Sequence, residues 1–213
     1  LIDSTANNNI FTNNIVTGKN DGSNNRAGIG IGGGNNIFIG NNGTGDSIYG
    51  IYINAVSNNI LINNTGTSTS STGIYLVGAA SNNTLTNNLG ISNSSYGIYL
   101  DSGPNNNTLT GNTGTSNSGS GISFLQSNNN NLTGNIGTSN SSYGVTLRDS
   151  NNNILSNTRA EGYLTNSYGI AFRNSNNTII QDCINISGVK GDVLYIVAAS
   201  SNNTFINCSY RTI

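Results

Sequence analysis

Short apolar groups recur along the chain at nearly constant intervals, separated by polar residues. A glycine followed by an apolar-x-apolar segment appears every 22 to 25 residues, at Gly28, Gly50, Gly73, Gly97, Gly121, Gly144 and Gly169. Between these segments lies a second series of apolar anchors: Phe11, Phe38, Leu61, Leu85, Leu109, Leu132, Leu155, Ile179 and Phe205. Because the two series keep step along the chain, we interpret the sequence as an internal repeat of about 24 residues.

Each repeat predicts three short strands. In the segment 97–100, alternation places Ile98 and Leu100 on one face and Tyr99 on the other. The segment 84–86 predicts a second strand, and 89–91 predicts a third with Leu89 and Ile91 on its inner face. Asn, Gly and Ser separate the strands, and they tolerate the left-handed backbone of sharp corners. No stretch has the period or length of a helix.

Strands of this length bury apolar surface only when consecutive repeats stack, about 4.8 Å apart, with each strand parallel to its copy. Parallel connections favour right-handed winding, and a left-handed hexapeptide helix would have a period near 18. The predicted fold is therefore all-β: a single-stranded right-handed parallel β-helix of about eight to nine coils in one domain, 1–213. Because the sequence begins at Leu1 without Met, we expect a processed chain or a part of a longer or polymerising one.

Asparagines recur at two corners of the predicted coil. Identical amides stacked in a column can hydrogen-bond along the stack, so we interpret both series as structural ladders. The first series is Asn59, Asn83, Asn107, Asn131, Asn153, Asn177 and Asn203. The second is Asn14, Asn41, Asn64, Asn88, Asn112, Asn135 and Asn157, with Asp182 next in line.

Composition excludes several functions. Charged residues are 7% of the chain, the net charge is −1, and there is no His or Met. The commonest general base and metal ligand is thus missing, and we predict no metal, no cofactor and no catalysis. We also predict no nucleic-acid partner, because no basic patch is present, and no membrane span, because no apolar run approaches the roughly 20 residues required.

Five groups of residues are candidates for more than packing. Tyr52, Tyr75 and Tyr99 form an outward aromatic series that stops at Ser123, and such a face can stack on sugar rings or seal a protein interface. The alternative is that Tyr is simply favoured on exposed strands. Thr65 and Thr67 resemble the Thr-x-Thr rows of ice-binding β-helices, but Leu89 and Ile91 fill the same positions, so we expect this column to face inward.

The remaining candidates are cysteines, glycosylation triplets and charges. Cys183 and Cys208 lie one coil apart, which places them in one column, close enough for a disulfide; the alternative is two buried thiols. Asn-x-Ser/Thr triplets, which a chain of this composition also forms by chance, predict N-glycosylation at Asn42, Asn63, Asn93, Asn140 and Asn185. Asp101, Arg148, Asp149 and Arg173 follow the glycine-initiated strands, but they are too dispersed for a convincing acid–base pair.

The segments SNNTLTNNLGISNSSYGIYL (81–100) and NNNTLTGNTGTSNSGSGISF (105–124) resemble the NosD-like parallel β-helix repeat. That repeat belongs to the broader carbohydrate-binding and sugar-hydrolase β-helix group. The Asn-rich repeat pattern resembles that of archaeal, notably methanogen, cell-surface proteins. The resemblance extends over essentially the whole chain. It implies an extracytoplasmic location and frequent carbohydrate contact. The sequence departs from enzymatic members in lacking His and any dense acidic cluster.

These observations favour a non-catalytic structural module of an extracellular or cell-surface layer, sheath, filament or adhesin. We expect self-association through uncapped β-helix ends, or association with other surface proteins or glycans. The first alternative is a carbohydrate-binding module that uses the tyrosine series. The second, weaker alternative is a polysaccharide lyase or hydrolase around Asp101, Arg148, Asp149 and Arg173.

Overall fold

The computed structural model describes residues 5–19, 27–196 and 200–210. For residues 194–196 it describes the backbone but not the side chains. Within these ranges the chain forms 25 short strands and no helix, so none of the described residues lie in a helix that could span a membrane. Each coil contributes one strand to each of three parallel sheets. The predicted all-β parallel solenoid with about 24 residues per coil is confirmed.

The three sheets are named in the order in which the chain enters them. The first sheet contains β1 (Ile10–Thr12), β4 (Ile37–Ile39), β7 (Ile60–Ile62), β10 (Thr84–Thr86), β13 (Thr108–Thr110), β16 (Asn131–Thr133), β19 (Ile154–Ser156), β22 (Ile179–Gln181) and β25 (Thr204–Ile206). The second contains β2 (Ile15–Lys19), β5 (Asn42–Asp46), β8 (Thr65–Ser68), β11 (Leu89–Ser92), β14 (Thr113–Ser116), β17 (Ile136–Ser139), β20 (Arg159–Gly162) and β23 (Asn185–Gly188). The third contains β3 (Ala27–Ile31), β6 (Tyr49–Asn54), β9 (Ile74–Val77), β12 (Ile98–Asp101), β15 (Ile122–Leu125), β18 (Val145–Arg148), β21 (Tyr168–Arg173) and β24 (Gly191–Ile196).

The core consists of apolar columns from the first and third sheets. Leu85 pairs in register with Leu61 and Leu109, and all three side chains are fully buried. In the third sheet Ile98 and Leu100 are buried in the same way. One anchor was assigned wrongly: Ile180, not Ile179, is buried in β22, because Ile179 points outward in register with Ile154.

The second sheet differs from the prediction. Gly90 and Ser92 face the interior, whereas Leu89 and Ile91 point outward, so the expected inward direction of that column is wrong. The reason is the close approach of the second and third sheets: a Cβ at Gly90 would overlap the carbonyl oxygen of Gly97. Only glycine fits there, and the larger side chains must point outward. The Thr-x-Thr rows, exemplified by Thr65 and Thr67, therefore lie on the outer surface.

Two columns of buried asparagines form the corners on either side of the first sheet. Asn88 shows the pattern: its Oδ1 accepts from the backbone N–H of Asn64 (2.8 Å) and from the Asn64 Nδ2 (3.0 Å). Its Nδ2 donates to the Leu61 carbonyl (2.9 Å) and to the Asn112 Oδ1 (3.0 Å). Each side chain thus replaces the backbone partners that a corner cannot supply. The predicted ladders exist, with several members shifted by one residue.

In each coil, the first ladder residue lies two residues before the inward apolar residue of the first sheet, and the second ladder residue lies three residues after it. The first ladder is Asn9, Asn36, Asn59, Asn83, Asn107, Asn130, Asn153, Thr178 and Asn203. The second is Asn14, Asn41, Asn64, Asn88, Asn112, Asn135, Thr158, Cys183 and Cys208. Asn131, Asn157, Asn177 and Asp182 were therefore assigned wrongly to the ladders.

These four misassigned residues are exposed. Asn157, Asn177 and Asp182 have left-handed φ angles between 51° and 55°, at the residue just before a ladder position. Asn131 begins β16 and points outward. Asparagine suits both the left-handed position and the ladder position beside it, so composition alone does not distinguish the two.

Candidate binding groove on the third sheet

Tyr52, Tyr75 and Tyr99 form one outward column on consecutive strands of the third sheet. The rings of Tyr75 and Tyr99 stack with centroids 5.3 Å apart and planes 11° apart, and those of Tyr52 and Tyr75 are 5.7 Å apart. Tyr52 and Tyr75 are each only 9% exposed, because neighbouring rings cover them. The three residues are brought together, but most of the ladder is closed to a ligand. Tyr99 is the more open member.

A second row of tyrosines, three residues earlier in the chain, packs against this column. Tyr49 packs 4.6 Å from Tyr75, and Tyr96 packs 4.3 Å from Tyr99, measured between ring centroids. The Tyr75 hydroxyl donates to the Asp101 Oδ2 at 2.7 Å. Burial, followed by the hydrogen bond and charge of Asp101, raises the pKa of Tyr75 well above its ordinary value. Burial and the charge of Asp101 likewise raise the pKa of Tyr99, so both phenols stay neutral donors.

The column continues beyond Tyr99 with small residues: Ser123, Thr146 and Ala171 follow in register on β15, β18 and β21. Above them lies a groove of about 370 Å³. Tyr75 and Tyr96 both pack against the Tyr99 ring, and the next position of the column, Ser123, carries no ring. The groove therefore has a small polar floor and an aromatic end wall.

Two arginines form one side of the groove. Arg148 and Arg173 are register neighbours on β18 and β21, and both line the cavity. The Arg148 Nε lies 3.5 Å from the Asp149 Oδ2, and no ion pair of Arg173 is found within the described ranges. Tyr143 lies on the opposite, strand-entry side of the groove. Cationic and aromatic groups thus meet at one place on a chain that carries few charges.

The two carboxylates predicted for a weak catalytic alternative are not a pair. Asp101 is in register with Leu125, which is in register with Arg148, so Asp101 and Asp149 lie in coils that are two apart. Asp101 accepts from the hydroxyls of Tyr75 and Ser102, and Asp149 accepts from the Asn174 amide (3.0 Å). The structure brings the two arginines together but supplies no adjacent acid and base.

The predicted glycosylation residues, Asn42, Asn63, Asn93, Asn140 and Asn185, are all exposed. Asn93 and Asn140 belong to a surface row of amides with Asn117, joined by hydrogen bonds of 2.7 Å. Asn185 donates to the Glu161 Oε1 at 2.6 Å. Exposure permits modification at each site, which remains a prediction.

Cys183 and Cys208 are joined by a disulfide, with Cα atoms 4.9 Å apart. They occupy the last two described positions of the second Asn ladder, one coil apart. The covalent bond thus stands where two asparagines would otherwise hydrogen-bond, and it ties the last described coil to its neighbour.

Sequence reasoning missed a polar cluster on the outer face of the second sheet. Glu161 is 4% exposed, and it accepts from Arg159 Nε (2.8 Å), the Tyr163 hydroxyl (2.5 Å) and the Asn185 amide. Burial alone would raise the pKa of Glu161, but these hydrogen bonds outweigh it and lower the pKa below its ordinary value. The available signal was a charged pair, Arg159 and Glu161, in columns that carry uncharged residues in the preceding coils. These side chains hydrogen-bond to one another, and because Asn185 lies on β23, the cluster joins two adjacent coils.

Two family models match the chain, each over more than half of its length. One describes a "right handed beta helix region" and matches residues 1–136; the other describes the "periplasmic copper-binding protein (NosD)" and matches residues 79–210. The chain belongs to the NosD-like right-handed β-helix family. The predicted resemblance to the NosD-like repeat and the predicted right-handed winding are confirmed. A search of curated proteins finds no match to the chain.

Two solved structures of mutants of the periplasmic alginate epimerase AlgG are similar to this chain. The first has a TM-score of 0.60 at 14% identity and covers 85% of this chain. The second has a TM-score of 0.54 at 13% identity and covers 96% of this chain. The chain spans 51% of the first structure and 69% of the second. At this identity the likeness supports the fold alone.

The copper that the NosD description names does not fit the residues of this chain. Copper sites in proteins use His, Met and free Cys. The chain has no His and no Met, and both of its cysteines are in the disulfide. Within the described residues no group of three His, Cys, Asp or Glu side chains could hold a metal ion.

Proposed function

We propose that this protein is a non-catalytic structural module of an extracytoplasmic surface layer, sheath, filament or adhesin. The observation that carries the proposal is the repetition itself: the same buried columns and amide ladders continue coil after coil along the described chain. In such a solenoid each coil contacts only its neighbours, and the product is an extended, regular rod. A rod of this kind suits spacing and lattice building.

Three observations support the location and the absence of catalysis. The disulfide is typical of oxidising compartments outside the cytoplasm. NosD and the alginate epimerase are both described as periplasmic. Asp101 and Asp149 lie in coils that are two apart, and the chain has no His.

We also propose that the rods associate end to end, because the stack has a direction. Each asparagine Oδ1 of the ladders accepts from the coil before it, as Asn36 does from Asn9, so the stack is polar along its axis. Phe11 and Val16 lie in the inward columns of the first described coil and are partly exposed, whereas their register neighbours Phe38 and Gly43 are buried. A head-to-tail contact between unlike ends continues as a filament instead of closing as a dimer.

Association is tested by light scattering and negative-stain imaging over a range of concentrations. We expect filaments that shorten in Val16→Lys, which places a charge at an inward position of the first described coil, and persist in the control Ile60→Lys, which changes an outward isoleucine on the side of the rod. Stable monomers of the unmodified chain at every concentration would contradict self-association. The surviving structural role would then be a passive stalk.

A second candidate function is carbohydrate binding, and the groove beyond Tyr99 favours it. Sugar rings stack on aromatic faces, and hydroxyls such as those of Ser123 and Thr146 can hydrogen-bond to them. The similarity to an alginate epimerase agrees with a polysaccharide ligand. A glycan array tests this role, with Tyr99→Ala expected to lose binding and Tyr52→Ala, in the closed part of the ladder, expected to keep it. Equal binding by both variants would refute a site at the groove.

A further inference from the structure

We infer that two copies of this protein pair side by side and in opposite directions, with the outer face of the first sheet packed against the same face of the partner. The inference rests on the proposed structural role and adds a lateral contact, distinct from the end-to-end contact, with a named surface. It follows from the composition of that face, from a row of asparagines at its edge and from its area.

The outer face of the first sheet is uncharged over its whole length. No strand of this sheet contains Asp, Glu, Lys or Arg, whereas strands of the second and third sheets do, as at Arg159 and Arg148. The outward residues of the face are the first and third of each strand: Ile10, Thr12, Ile37, Ile39, Ile60, Ile62, Thr84, Thr86, Thr108, Thr110, Asn131, Thr133, Ile154, Ser156, Ile179, Gln181, Thr204 and Ile206. All of them are Ile or Thr except Asn131, Ser156 and Gln181.

The exposure of this face indicates contact with another surface. Ile60 and Ile154 are each 37% exposed, and Ile206 is 43% exposed. Surfaces that remain in water usually carry interspersed charges, and contiguous exposed apolar groups mark an interaction site. Columns of β-branched side chains in register can interdigitate with an identical set when two sheets pack about 10 Å apart.

A row of asparagines borders the face. In every described coil the residue just before the first-ladder position is an exposed asparagine with a left-handed φ between 55° and 62°. The row is Asn8, Asn35, Asn58, Asn82, Asn106, Asn129, Asn152, Asn177 and Asn202. The left-handed backbone alone does not require asparagine, because the other corner of the first sheet uses Gly40, Gly111 and Gly134. A carboxamide both donates and accepts, so two such rows can hydrogen-bond to each other.

The asparagine row sets the orientation of the pair. Two rows meet along their length when the rods point in opposite directions, because the strands of both faces then run the same way across the contact. With all coils overlapped, β4 faces the partner's β22 and β7 faces the partner's β19. Ile37 then lies opposite the partner's Ile179 and Ile60 opposite the partner's Ile154, so apolar residues of the first outward column meet apolar residues.

The area of the face suits a second copy. Nine strands about 4.8 Å apart extend roughly 38 Å along the rod, and three strand residues with one corner residue on each side extend roughly 17 Å across it. The product, roughly 650 Å², is comparable with the roughly 800 Å² that each partner buries in a standard interface. A second copy also has the same repeat, so the columns stay matched over the whole length.

The test measures dimerisation by sedimentation velocity over a wide range of concentrations. All variants are made in the Val16→Lys chain, in which end-to-end growth is suppressed, and we expect this chain to dimerise. Ile60→Lys and Thr108→Lys each place an unpaired charge within the face and should weaken the dimer at least about tenfold, because burying such a charge is costly. The controls Ile91→Lys and Thr113→Lys place it on the outer face of the second sheet and should leave the dimer unchanged.

Cross-linking of the chain without Val16→Lys checks the orientation. Both native cysteines are in the disulfide, so an added cysteine supplies the reactive thiol. A short bismaleimide should join Ile37→Cys to Ile179→Cys when the two variants are mixed. It should not join two copies of Ile37→Cys, which lie six coils apart in the antiparallel pair.

The outcomes separate lateral pairing from the end-to-end contact. Dimers that persist in folded Ile60→Lys and Thr108→Lys, or cross-linking between two copies of Ile37→Cys, would overturn the inference. A Val16→Lys chain that stays monomeric at every concentration would also overturn it, while filaments of the unmodified chain would still support end-to-end association. Dimers of Val16→Lys, together with an unmodified chain that forms no filaments, would support pairing and refute end-to-end association. Circular dichroism and melting curves verify folding of each variant.

Discussion

Replacing Asn88 with alanine tests whether the amide ladders hold the coils together. Asn88 is 1% exposed and makes four hydrogen bonds, two through Oδ1 from Asn64 and two through Nδ2 to Leu61 and Asn112. Alanine removes all four and leaves the Asn64 N–H buried without its acceptor. A buried donor without a partner costs about 1–3 kcal/mol, and each lost hydrogen bond about 1 kcal/mol.

We therefore expect Asn88→Ala to lower the free energy of unfolding by about 4–6 kcal/mol, with about 1–3 kcal/mol for the buried Asn64 N–H and about 1 kcal/mol for each of the other three hydrogen bonds. For a chain of this size, 1 kcal/mol shifts the melting temperature by about 2–4 °C, so the expected fall is roughly 15 °C. The measurement is thermal and urea unfolding followed by circular dichroism. Because a solenoid can unfold in parts, coincident transitions at two wavelengths should be checked first.

Asn93→Ala is the matched control. It removes an asparagine from the same coil, but this side chain is exposed and accepts a single hydrogen bond from Asn117. Exposed substitutions of this kind change stability by about 0.5 kcal/mol or less. If Asn88→Ala and Asn93→Ala destabilised the protein equally, the ladder would not be the source of stability, and the reasoning would be refuted.

Four further predictions follow from single features. Thr158 occupies a position of the second ladder, and its buried hydroxyl has no hydrogen-bond partner. Thr158→Asn should therefore raise the free energy of unfolding by about 1 kcal/mol, measured by thermal unfolding, while Thr158→Val should leave it unchanged. Gly90→Ala should prevent the second and third sheets from closing, and limited proteolysis would detect the loosened coils. Cys208→Ser opens a 25-residue loop and should destabilise the protein by about 3 kcal/mol in chemical unfolding, with little change if the last coils already unfold independently. The pKa of Glu161 is lower in the folded protein than in the unfolded chain, so ionised Glu161 stabilises the fold above its unfolded pKa, and this stabilisation is lost as the pH falls through the folded pKa. In Glu161→Gln, the free energy of unfolding should therefore depend less on pH below about pH 4.3.

The candidate groove could be predicted only in part. Alternation in 97–100 correctly places Tyr99 outward, and the register correctly makes Ser123 its next copy. The depth of the groove, and its closure by Tyr96 and Tyr143, depend on a second column that the repeat pattern did not single out. Arg148 and Arg173 were noticed as isolated charges. Their approach on adjacent strands is a consequence of register.

The sequence by itself determined the solenoid, because a period kept over the whole chain leaves one efficient way to bury strands of three to six residues. It also determined which residue types stand at the corners, since few side chains satisfy a corner or tolerate its left-handed backbone. Only the tertiary structure decided between neighbouring asparagines such as Asn130 and Asn131, because one side chain must face the stack and the other solvent. It alone turned Leu89 and Ile91 outward, since that choice depends on the distance between two sheets, which no local pattern records.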